Sequence, residues 1–339
     1  MKGAIDVRAF MTVCLFLIAL LFVSEDIEAQ TTNHSEQKRL ELYKTIEKYY
    51  HIPWYYLAGI DQYEHSLRNA RKDLPDSDGP IGIIIPLEKW SGIFNPNPYD
   101  TIPERIAYFN GLGKDGNNDG KADQKNDEDI LVSIATYIAK YGTKDDEIRL
   151  ALWNYYKRDK TVGIIMGNAQ LFKKYQKINL NEKAFPLPHT ANYSYRSTWG
   201  VARGWGGRRS HEGTDLFANY GVPVRATCYG IVEIKGWNRF GGWRIGIRDL
   251  NNTYHYFAHL GSFTKDLKIG QLVEPGMVIG TVGSSGYGPP GTSGKFPPHL
   301  HFGMYKDNGY IEWSFDPYYH LNVWERNDRI ERRKNKEKP

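Results

Sequence analysis

The chain has 339 residues, a length that is typical of two domains. Hydrophobic residues make up 40% of it and charged residues 24%, which is an ordinary globular composition with enough apolar material for two cores. The formal net charge of +5 favours an anionic surface as partner. Nucleic acid is not expected, because no basic stripe with interleaved aromatic residues occurs. The sequence gives no indication of an oligomeric state.

Residues 1–29 are predicted to be a signal peptide or an N-terminal anchor. Lys2 and Arg8 precede the apolar run Ala9–Val23, which has the length of a signal-peptide core and is short for a membrane span. Ala29 offers a small residue at a cleavage site. Both alternatives predict export of the remaining chain, and an uncleaved anchor is the one predicted link to a membrane.

The two cysteines indicate the compartment. Cys14 lies inside the targeting segment, so Cys228 has no intramolecular partner. An exported protein without disulfides fits a bacterial envelope better than a eukaryotic secretory route. We therefore expect a secreted or membrane-anchored protein of the bacterial cell envelope.

Residues 35–178 are predicted to form an all-α domain with long loops. Apolar residues recur at helical spacing in its first segment, at Leu40, Tyr43, Ile46 and Tyr50. Pro53 then opens a second helical segment, as a proline in the first turn can. Residues 128–140 and 146–156 have helical patterns as well.

The second segment, IPWYYLAGIDQYEHSL, is similar to the catalytic helix of lytic transglycosylases, which are lysozyme-like. In that family a glutamate near the helix end acts as general acid/base on the glycan, and Glu64 stands at this place. The pattern departs at His65, where Ser is common, and at Ile85, where Gln is usual. The resemblance implies a lysozyme-like fold that either cleaves glycan through Glu64 or binds it through the aromatic residues Trp54, Tyr55 and Trp90.

An acidic loop follows in this region. Positions 1, 3, 5 and 9 of an EF-hand-like loop fall on Asp115, Asn117, Asp119 and Asp123, and Gly120 occupies position 6, where the chain turns sharply. Position 12 is Asn126, and some lytic transglycosylases have a similar loop whose last carboxylate comes later, which Asp129 would match. The alternatives are a Ca²⁺ site and a polar surface loop rich in turn-forming residues.

The character of the chain changes at about residue 200, where glycine becomes frequent and strand-like segments are short. This pattern predicts an all-β sandwich or partly closed barrel over residues 201–320. Residues 179–200, with Pro186 and Pro188, are the predicted linker. Residues 321–339 are predicted to be a basic and polar tail, and its run Arg326–Lys338 is expected to be solvated. The predicted fold class is therefore multidomain, α followed by β.

Histidines with motif-like neighbours lie in this second half. In PPHLHF, residues i and i+2 of a strand share a face, so His299 and His301 project together while Leu300 points to the core. The segment SHEGTDLFA supplies His211 and Asp215 across a turn that contains glycine. Two imidazoles and a carboxylate leave a fourth tetrahedral position open, and this ligand set is typical of a catalytic zinc.

Four stretches in order, HEGTDLFANYGVPVRATCYGIV, YHYFAHL, IGQLVEPGMVIGTVGSSG and PPHLHFGM, resemble the M23 metallopeptidases of the lysostaphin type, which cut cross-links or stems in peptidoglycan. The resemblance implies one Zn²⁺ per chain on His211, Asp215 and His301. It also implies that His259 and His299 are catalytic, without assigning their roles. His255, four residues before His259 and expected to face the same way, is interpreted as a surface or wall residue.

The sequence departs from this family at two places. The loop YGPPGTSGKFPP before His299 is unusually long, and we expect it to shape the rim of the groove. Gly303 stands where the family often has Glu, a position that is not a ligand, so zinc binding is expected to survive.

We interpret the chain as an exported zinc-dependent peptidoglycan endopeptidase in which a helical domain engages glycan and a β-rich domain cuts peptide. The arrangement resembles sporulation-linked endopeptidases of spore-forming bacteria that cut L-Ala–D-Glu bonds, although groove shape decides the bond. The alternatives are a catalytically silent scaffold or activator of other cell-wall hydrolases, and a bifunctional enzyme that also uses Glu64. The presence of all three ligand positions and both catalytic histidines favours an enzyme.

Overall fold

The computed structural model describes residues 35–75, 77, 79–204 and 207–337. The targeting segment predicted over residues 1–29 lies outside this part. Helices fill the N-terminal half, and strands of a large antiparallel sheet follow. Among the described residues, we find no helix with the length and apolar character that crossing a membrane requires.

Seven helices precede the sheet in the described chain: α1 (35–50), α2 (Trp54–Ala70), α3 (Leu87–Ser91), α4 (Pro103–Tyr108), α5 (Asp127–Ala139), α6 (Asp145–Tyr156) and α7 (Asp159–Tyr175). Local chemistry sets some of their ends. The side chain of Asn126 accepts hydrogen bonds from the backbone N–H groups of Glu128 and Asp129, which caps the start of α5.

Helices α2 and α7 form the centre of the first hydrophobic core. Leu57 and Ile60 of α2 and Phe172 of α7 are almost fully buried in one cluster. A Cβ atom on Gly59 would lie 2.9 Å from the backbone oxygen of Ile165. The absence of a side chain at this glycine therefore lets the two helices approach closely.

The strands are β1 (Tyr193–Tyr195), β2 (Ala202–Arg203), β3 (Arg209–Ser210), β4 (Thr214–Ala218), β5 (Pro223–Arg225), β6 (Gly230–Asn238), β7 (Gly242–Asp249), β8 (Thr253–Phe263), β9 (Leu272–Val273), β10 (Val278–Val282), β11 (His299–Asp307) and β12 (Glu312–Phe315). Ten of them form one sheet with the path β1-β4-β11-β8-β7-β6-β9, to which β10, β5 and β12 add. β2 and β3 form a separate hairpin.

One face of this sheet carries the second hydrophobic core. Leu300 of β11 pairs with Leu216 of β4, and both side chains are fully buried. Phe302 pairs with Phe257 of β8, with ring centroids 5.2 Å apart. Because side chains alternate along a strand, the residues between these positions project to the opposite face, where the candidate site lies.

The segments at both ends of the sheet are more ordered than the sequence predicts. Residues 318–337 form helix α8 (Tyr318–Glu337), so the prediction of a tail from residue 321 is wrong for the start of this segment. The described side chains of residues 326–334 are mostly exposed, in agreement with the solvated run predicted there. Leu321 and Trp324 of α8 are buried in the second core. The sequence pattern indicated a tail because these two apolar residues stand among many charged ones.

The predicted linker also contributes to the second core. Phe185 and Leu187 are buried in it. β1 pairs with β4, and the hydroxyl groups of Tyr193 and Tyr195 donate to Glu325 of α8 at 2.6 and 2.7 Å. The stretch from residue 185 therefore packs as part of the β-rich half and does not act as a free connection.

The two halves touch through specific contacts. Arg158, just before α7, donates to both carboxylate oxygens of Asp307 at the end of β11, at 3.0 and 2.6 Å. Leu250, from the turn between β7 and β8, is buried in the helical core. These contacts hold the helical half against the end of β11 and this turn.

Candidate metal centre and its groove

A groove of about 510 Å³ lies on the face of the sheet opposite the second core. Its walls include side chains from β3, β4, β8 and β11. His211, Asp215, His259, His299 and His301, which are the site residues predicted for this half, all line it. The fold thus brings together side chains that are spread over 90 positions of the sequence.

Strand register brings three of these residues into contact. Asp215 of β4 and His301 of β11 are directly opposite partners, so their side chains leave the sheet side by side. His301 Nδ1 lies 3.1 Å from Asp215 Oδ1, and His211 Nε2 lies 2.9 Å from His301 Nδ1 and 3.1 Å from Asp215 Oδ1. The three atoms form a nearly equilateral triangle.

This triangle fits a tetrahedral metal ion. Zinc–ligand bonds of about 2.0–2.2 Å place neighbouring ligand atoms roughly 3.3 Å apart, close to the separations in the triangle. Nδ1 of His211 lies 2.8 Å from the carbonyl oxygen of Thr198, to which its proton can be donated. Such a bond leaves the lone pair of Nε2 directed at the triangle, as in many histidine ligands of zinc.

The turn before Asp215 needs a residue without a side chain. A Cβ atom on Gly213 would lie 2.5 Å from the backbone oxygen of Phe302 and 2.7 Å from Cε1 of His301. Only glycine therefore lets the turn that connects His211 with β4 pass so close to β11. We therefore expect a side chain at position 213 to displace His301 from its place beside His211.

Asp215 is charged in these surroundings. Burial favours its neutral form, but hydrogen bonds with His211 and His301 outweigh burial and hold the pKa of Asp215 far below its ordinary value. Arg203 of β2 adds a donor, with Nη2 2.6 Å from Asp215 Oδ2. The carboxylate therefore presents one oxygen to the triangle and the other to a guanidinium.

His259 and His299 lie beside the triangle with their rings 4.9 Å apart. Nδ1 of each lies 2.8 Å from a backbone carbonyl oxygen, that of Ser285 for His259 and that of Pro297 for His299. Burial is the main cause that lowers the pKa of both imidazoles. Neutral imidazoles whose Nδ1 atoms donate to carbonyls have Nε2 atoms that can accept a proton.

His259 reaches the groove because β8 is irregular at this residue. It has a φ of 61°, which is rare for a residue with a side chain, and the register with β7 shifts between Trp243 and Ile245. This bulge turns His259 to the groove although Phe257 and Leu260 are buried in the core.

The expectation that His255 faces the same way as His259 is wrong, because the bulge separates them. His255 is completely buried on the core side of β8. Its ring lies between Thr227 Oγ1 at 2.7 Å and Asp249 Oδ2 at 3.3 Å. It is therefore a core residue and not a surface or wall residue.

Cys228, Asp249 and His255 form a second cluster of potential ligands in the described chain. The ammonium group of Lys183 lies 2.8 Å from Asp249 Oδ2, and burial raises the pKa of the Cys228 thiol to about 12. A cation already neutralises this carboxylate, and the thiol stays protonated. In the structure these side chains form a buried polar network that includes the ion pair of Lys183 with Asp249.

The long loop before His299 forms one wall of the groove, as its composition predicts. Tyr287 and Phe296 from this loop flank His259, with ring centroids 6.1 and 4.6 Å from it. Arg203 is a groove residue that the sequence analysis did not single out. The repeated glycines and arginines of GVARGWGGRR, directly before the His211 motif, were the available signal.

Glu64 lies apart from this groove, in the helical half. Its carboxyl group is 4% exposed and accepts a hydrogen bond of 2.6 Å from the hydroxyl of Tyr156. Burial raises the pKa of Glu64 to about 7, although the bond from Tyr156 acts in the opposite direction. A carboxyl group in this state can be protonated near neutral pH.

The aromatic residues predicted to bind glycan are mostly inside the protein. Trp54 and Trp90 are 5% and 1% exposed, so they cannot form a binding surface, and Tyr55 is half-buried. Trp90 belongs to the first hydrophobic core, a tertiary placement that the local pattern does not reveal.

In the acidic loop, the carboxylates bind the backbone of the loop itself. Asp129 accepts from the N–H groups of Gly116, Asn117 and Asp123, and Asp115 accepts from those of Asp119 and Gly120. Asp115, Asn117, Asp119, Asp123 and Asp129 thus shape the loop. The clusters of potential metal ligands in the described residues do not include them, and the calcium site stays a prediction.

The chain is similar to one family model and to several known proteins. The model of a family described as peptidase family M23 matches residues 209–313. The L-Ala--D-Glu endopeptidase of Bacillus subtilis (strain 168) is 62% identical over 319 residues, which cover 93% of this chain and 98% of that protein. The glycyl-glycine endopeptidase ALE-1 of Staphylococcus capitis is 37% identical over 27% of this chain and 24% of its own length. The catalytic domain of lysostaphin from Staphylococcus simulans, a solved structure, is 28% identical over 39% of this chain and 93% of that chain, with a TM-score of 0.31.

Proposed function

The chain belongs to peptidase family M23 and is an endopeptidase, and on this premise we propose that it hydrolyses the L-Ala–D-Glu bond in the stem peptides of peptidoglycan. The observation that carries this proposal is the high identity to an endopeptidase of that name over nearly its whole length. The groove around His211, Asp215 and His301 supports it, since it offers a metal-ligand triangle with two further imidazoles beside it.

We propose that His211 Nε2, Asp215 Oδ1 and His301 Nδ1 hold one Zn²⁺. A zinc ion in such a site supplies Lewis-acid polarisation of the scissile carbonyl and activation of a water nucleophile. The chain's own part is to keep the three donors together. Register positions His301 against Asp215, the carbonyl oxygen of Thr198 orients His211, and Gly213 permits the close turn.

We further propose that His259 and His299 are the catalytic residues. Because their Nδ1 atoms face the carbonyl oxygens of Ser285 and Pro297, their Nε2 atoms are left to exchange protons with the reacting groups. One neutral Nε2 accepts the proton of the attacking water. The other histidine, in its imidazolium form with a proton on each ring nitrogen, donates from Nε2 a hydrogen bond to the developing oxyanion or a proton to the leaving amine.

The helical half is proposed to form a domain of its own, residues 35–178, that engages the glycan strands. Its separate hydrophobic core supports this division. A lysozyme-like origin rests on the sequence of α2 alone, and glycan cleavage through Glu64 is the second candidate function. Its supporting observation is the raised pKa of Glu64, since a general acid must be protonated near its working pH.

Export to the cell envelope follows from the proposed substrate, because peptidoglycan lies outside the cytoplasmic membrane. The predicted signal peptide or anchor over residues 1–29 provides the route. A link to sporulation remains a prediction from the sequence resemblance.

The direct test uses a synthetic stem peptide that contains L-Ala–γ-D-Glu. The full exported chain is expected to produce a new amino terminus on D-Glu, identified by mass spectrometry. Removal of metal by a chelator should abolish cleavage, and stoichiometric Zn²⁺ should restore it. Cleavage at another bond, or unchanged cleavage after metal removal, would contradict the proposed bond or the proposed metal.

A further inference from the structure

Arg203 lines the groove and contacts the metal-ligand triangle through Asp215, although it is not itself one of the three ligands. Its Nη2 lies 2.6 Å from Asp215 Oδ2, while the other oxygen of that carboxylate belongs to the triangle. The guanidinium is therefore separated from the triangle by the width of one carboxylate, and both lie in the same groove.

The backbone around Arg203 is tied to the same site. β2 pairs with β3 so that Arg203 is opposite Arg209, and His211 follows β3 directly. The N–H group of His211 donates to the carbonyl oxygen of Val201 at 2.9 Å, and that of Gly200 donates to the carbonyl oxygen of His211 at 2.8 Å. The hairpin thus holds Arg203 at a fixed distance from His211.

The guanidinium has unused hydrogen-bonding capacity. It carries five N–H donors, and its Nε is buried without an acceptor among the residues that the structure describes. Nε is enclosed by protein, so the donors left for a ligand in the groove are the N–H groups on Nη1 and Nη2, of which one Nη2 group is bonded to Asp215. The side chain is also 37% exposed, so a ligand in the groove can reach it.

The chemistry of the proposed substrate matches this donor. In an L-Ala–γ-D-Glu unit the chain continues through the γ-carboxyl group, so the α-carboxylate of D-Glu is free. That carboxylate is attached to the carbon atom next to the scissile nitrogen. The planar fork of a guanidinium suits a carboxylate because it donates two parallel hydrogen bonds.

We propose that Arg203 is a specificity-determining residue that binds the free α-carboxylate on the amine side of the scissile bond. This inference rests on the proposed function, because it requires cleavage at L-Ala–D-Glu. Arg203 remains bonded to Asp215 on one side and binds the substrate with its remaining donors. Substrates that carry a carboxamide at this position lose the ion pair with the guanidinium and one of the two parallel hydrogen bonds.

The test uses two stem peptides that differ at one group, the α-carboxylate of D-Glu or the corresponding α-carboxamide. For the unaltered enzyme, kcat/KM for the carboxylate peptide should exceed that for the carboxamide peptide by about 10- to 100-fold, the range that hydrogen bonds to a charged group supply. In Arg203→Gln the ratio should fall to about 1, mainly because kcat/KM for the carboxylate peptide decreases. Arg209→Gln, which removes the same charge from the paired strand, should keep the ratio.

A role confined to holding Asp215 gives a different pattern. Arg203→Gln would then slow both peptides by the same factor and leave the ratio unchanged, which would overturn the inference. Equal cleavage of both peptides by the unaltered enzyme, or an equal collapse of the ratio in Arg209→Gln, would overturn it as well. If the unaltered enzyme cuts neither peptide at L-Ala–D-Glu, the proposed function itself fails, and this result is distinct from cleavage there without preference. Zinc content and thermal unfolding of the variants show whether each is folded and loaded.

Discussion

Two buried carboxyl groups in different halves of the chain have opposite properties. Asp215 and Glu64 are almost equally enclosed, at 6% and 4% exposure. Asp215 faces His211, His301 and a guanidinium, and its pKa lies far below the ordinary value. Glu64 accepts one hydrogen bond from Tyr156, and burial raises its pKa to about 7. Burial alone therefore does not decide the charge of a carboxyl group, and the donors around it do.

This difference separates the two halves chemically. A carboxylate that stays charged is suited to a cation, and its groove is open to a polymer. A carboxyl group that is neutral over part of the physiological pH range can donate a proton, or it can simply fill a buried polar position. The following variants test whether peptide cleavage depends on the β-rich half, which contains Asp215, and not on the helical half, which contains Glu64.

The largest effect is expected when a ligand of the triangle is removed. His211→Ala should lower the cleavage rate of a stem peptide by roughly 10³-fold or more, because Lewis-acid catalysis supplies several kcal/mol of the barrier reduction. Glu64→Gln, the matched change in the helical half, should leave this rate unchanged. Rates are measured by chromatography of the cleaved peptide. Equal losses in the two variants would mean that the halves do not act separately.

A smaller effect is expected from crowding the turn beside the triangle. Gly213→Ala introduces a Cβ that meets Phe302 and His301, so we expect about 1–3 kcal/mol of destabilisation from overpacking. The displaced histidine should also lower activity by about 10- to 100-fold, as loss of supporting contacts does at metal sites. Chemical denaturation and peptide kinetics measure the two effects.

The control for this change is Gly163→Ala in α7. No atom lies within 4 Å of a Cβ at this position, so alanine meets no obstacle there. It should stabilise the helix by up to about 1 kcal/mol through its higher helix propensity. Equal stability and equal peptide-cleavage activity of the two glycine variants would contradict the proposal that the close turn at Gly213 positions His301.

The third effect concerns the pH dependence of stability. Because the pKa of Glu64 is about 7 when folded and near 4.5 when unfolded, the folded state holds a proton that the unfolded state releases between these values. The contribution of Glu64 to the free energy of unfolding is therefore fully present below pH 4.5. It decreases as the pH rises to about 7, by an amount on the order of 3 kcal/mol.

Glu64→Gln keeps an acceptor for Tyr156 and removes the titration. Unfolding of the variant should therefore depend less steeply on pH between 5 and 7 than unfolding of the unaltered chain. Denaturation midpoints at several pH values provide the measurement. Identical slopes would show that Glu64 has an ordinary pKa, and the contrast with Asp215 would disappear.

Much of the candidate metal site could be predicted from the sequence because it depends on short-range geometry. The spacing of His299 and His301 places both on one face of a strand, and the structure has them there with Leu300 in the core. The segment SHEGTDLFA also indicates that His211 and Asp215 lie close together across a short turn. Which strands lie next to each other is not a local property, and there the resemblance to a known family supplied the information.

The errors arose where tertiary contacts override a local pattern. A bulge at His259, with its positive φ, reverses the alternation that predicted a shared face with His255. Trp90 was interpreted as a surface for sugars, yet helix packing encloses it. Arg203 was missed because its significance depends on Asp215 twelve positions later and on a hairpin that brings the two together.

The most direct test is digestion of intact peptidoglycan by the full exported chain, followed by mass spectrometry of every new end. We expect new amino termini on D-Glu, their loss in His211→Ala, and their retention in Glu64→Gln. Fragments with anhydro-sugar ends and intact stem peptides, produced equally well by His211→Ala, would contradict this expectation.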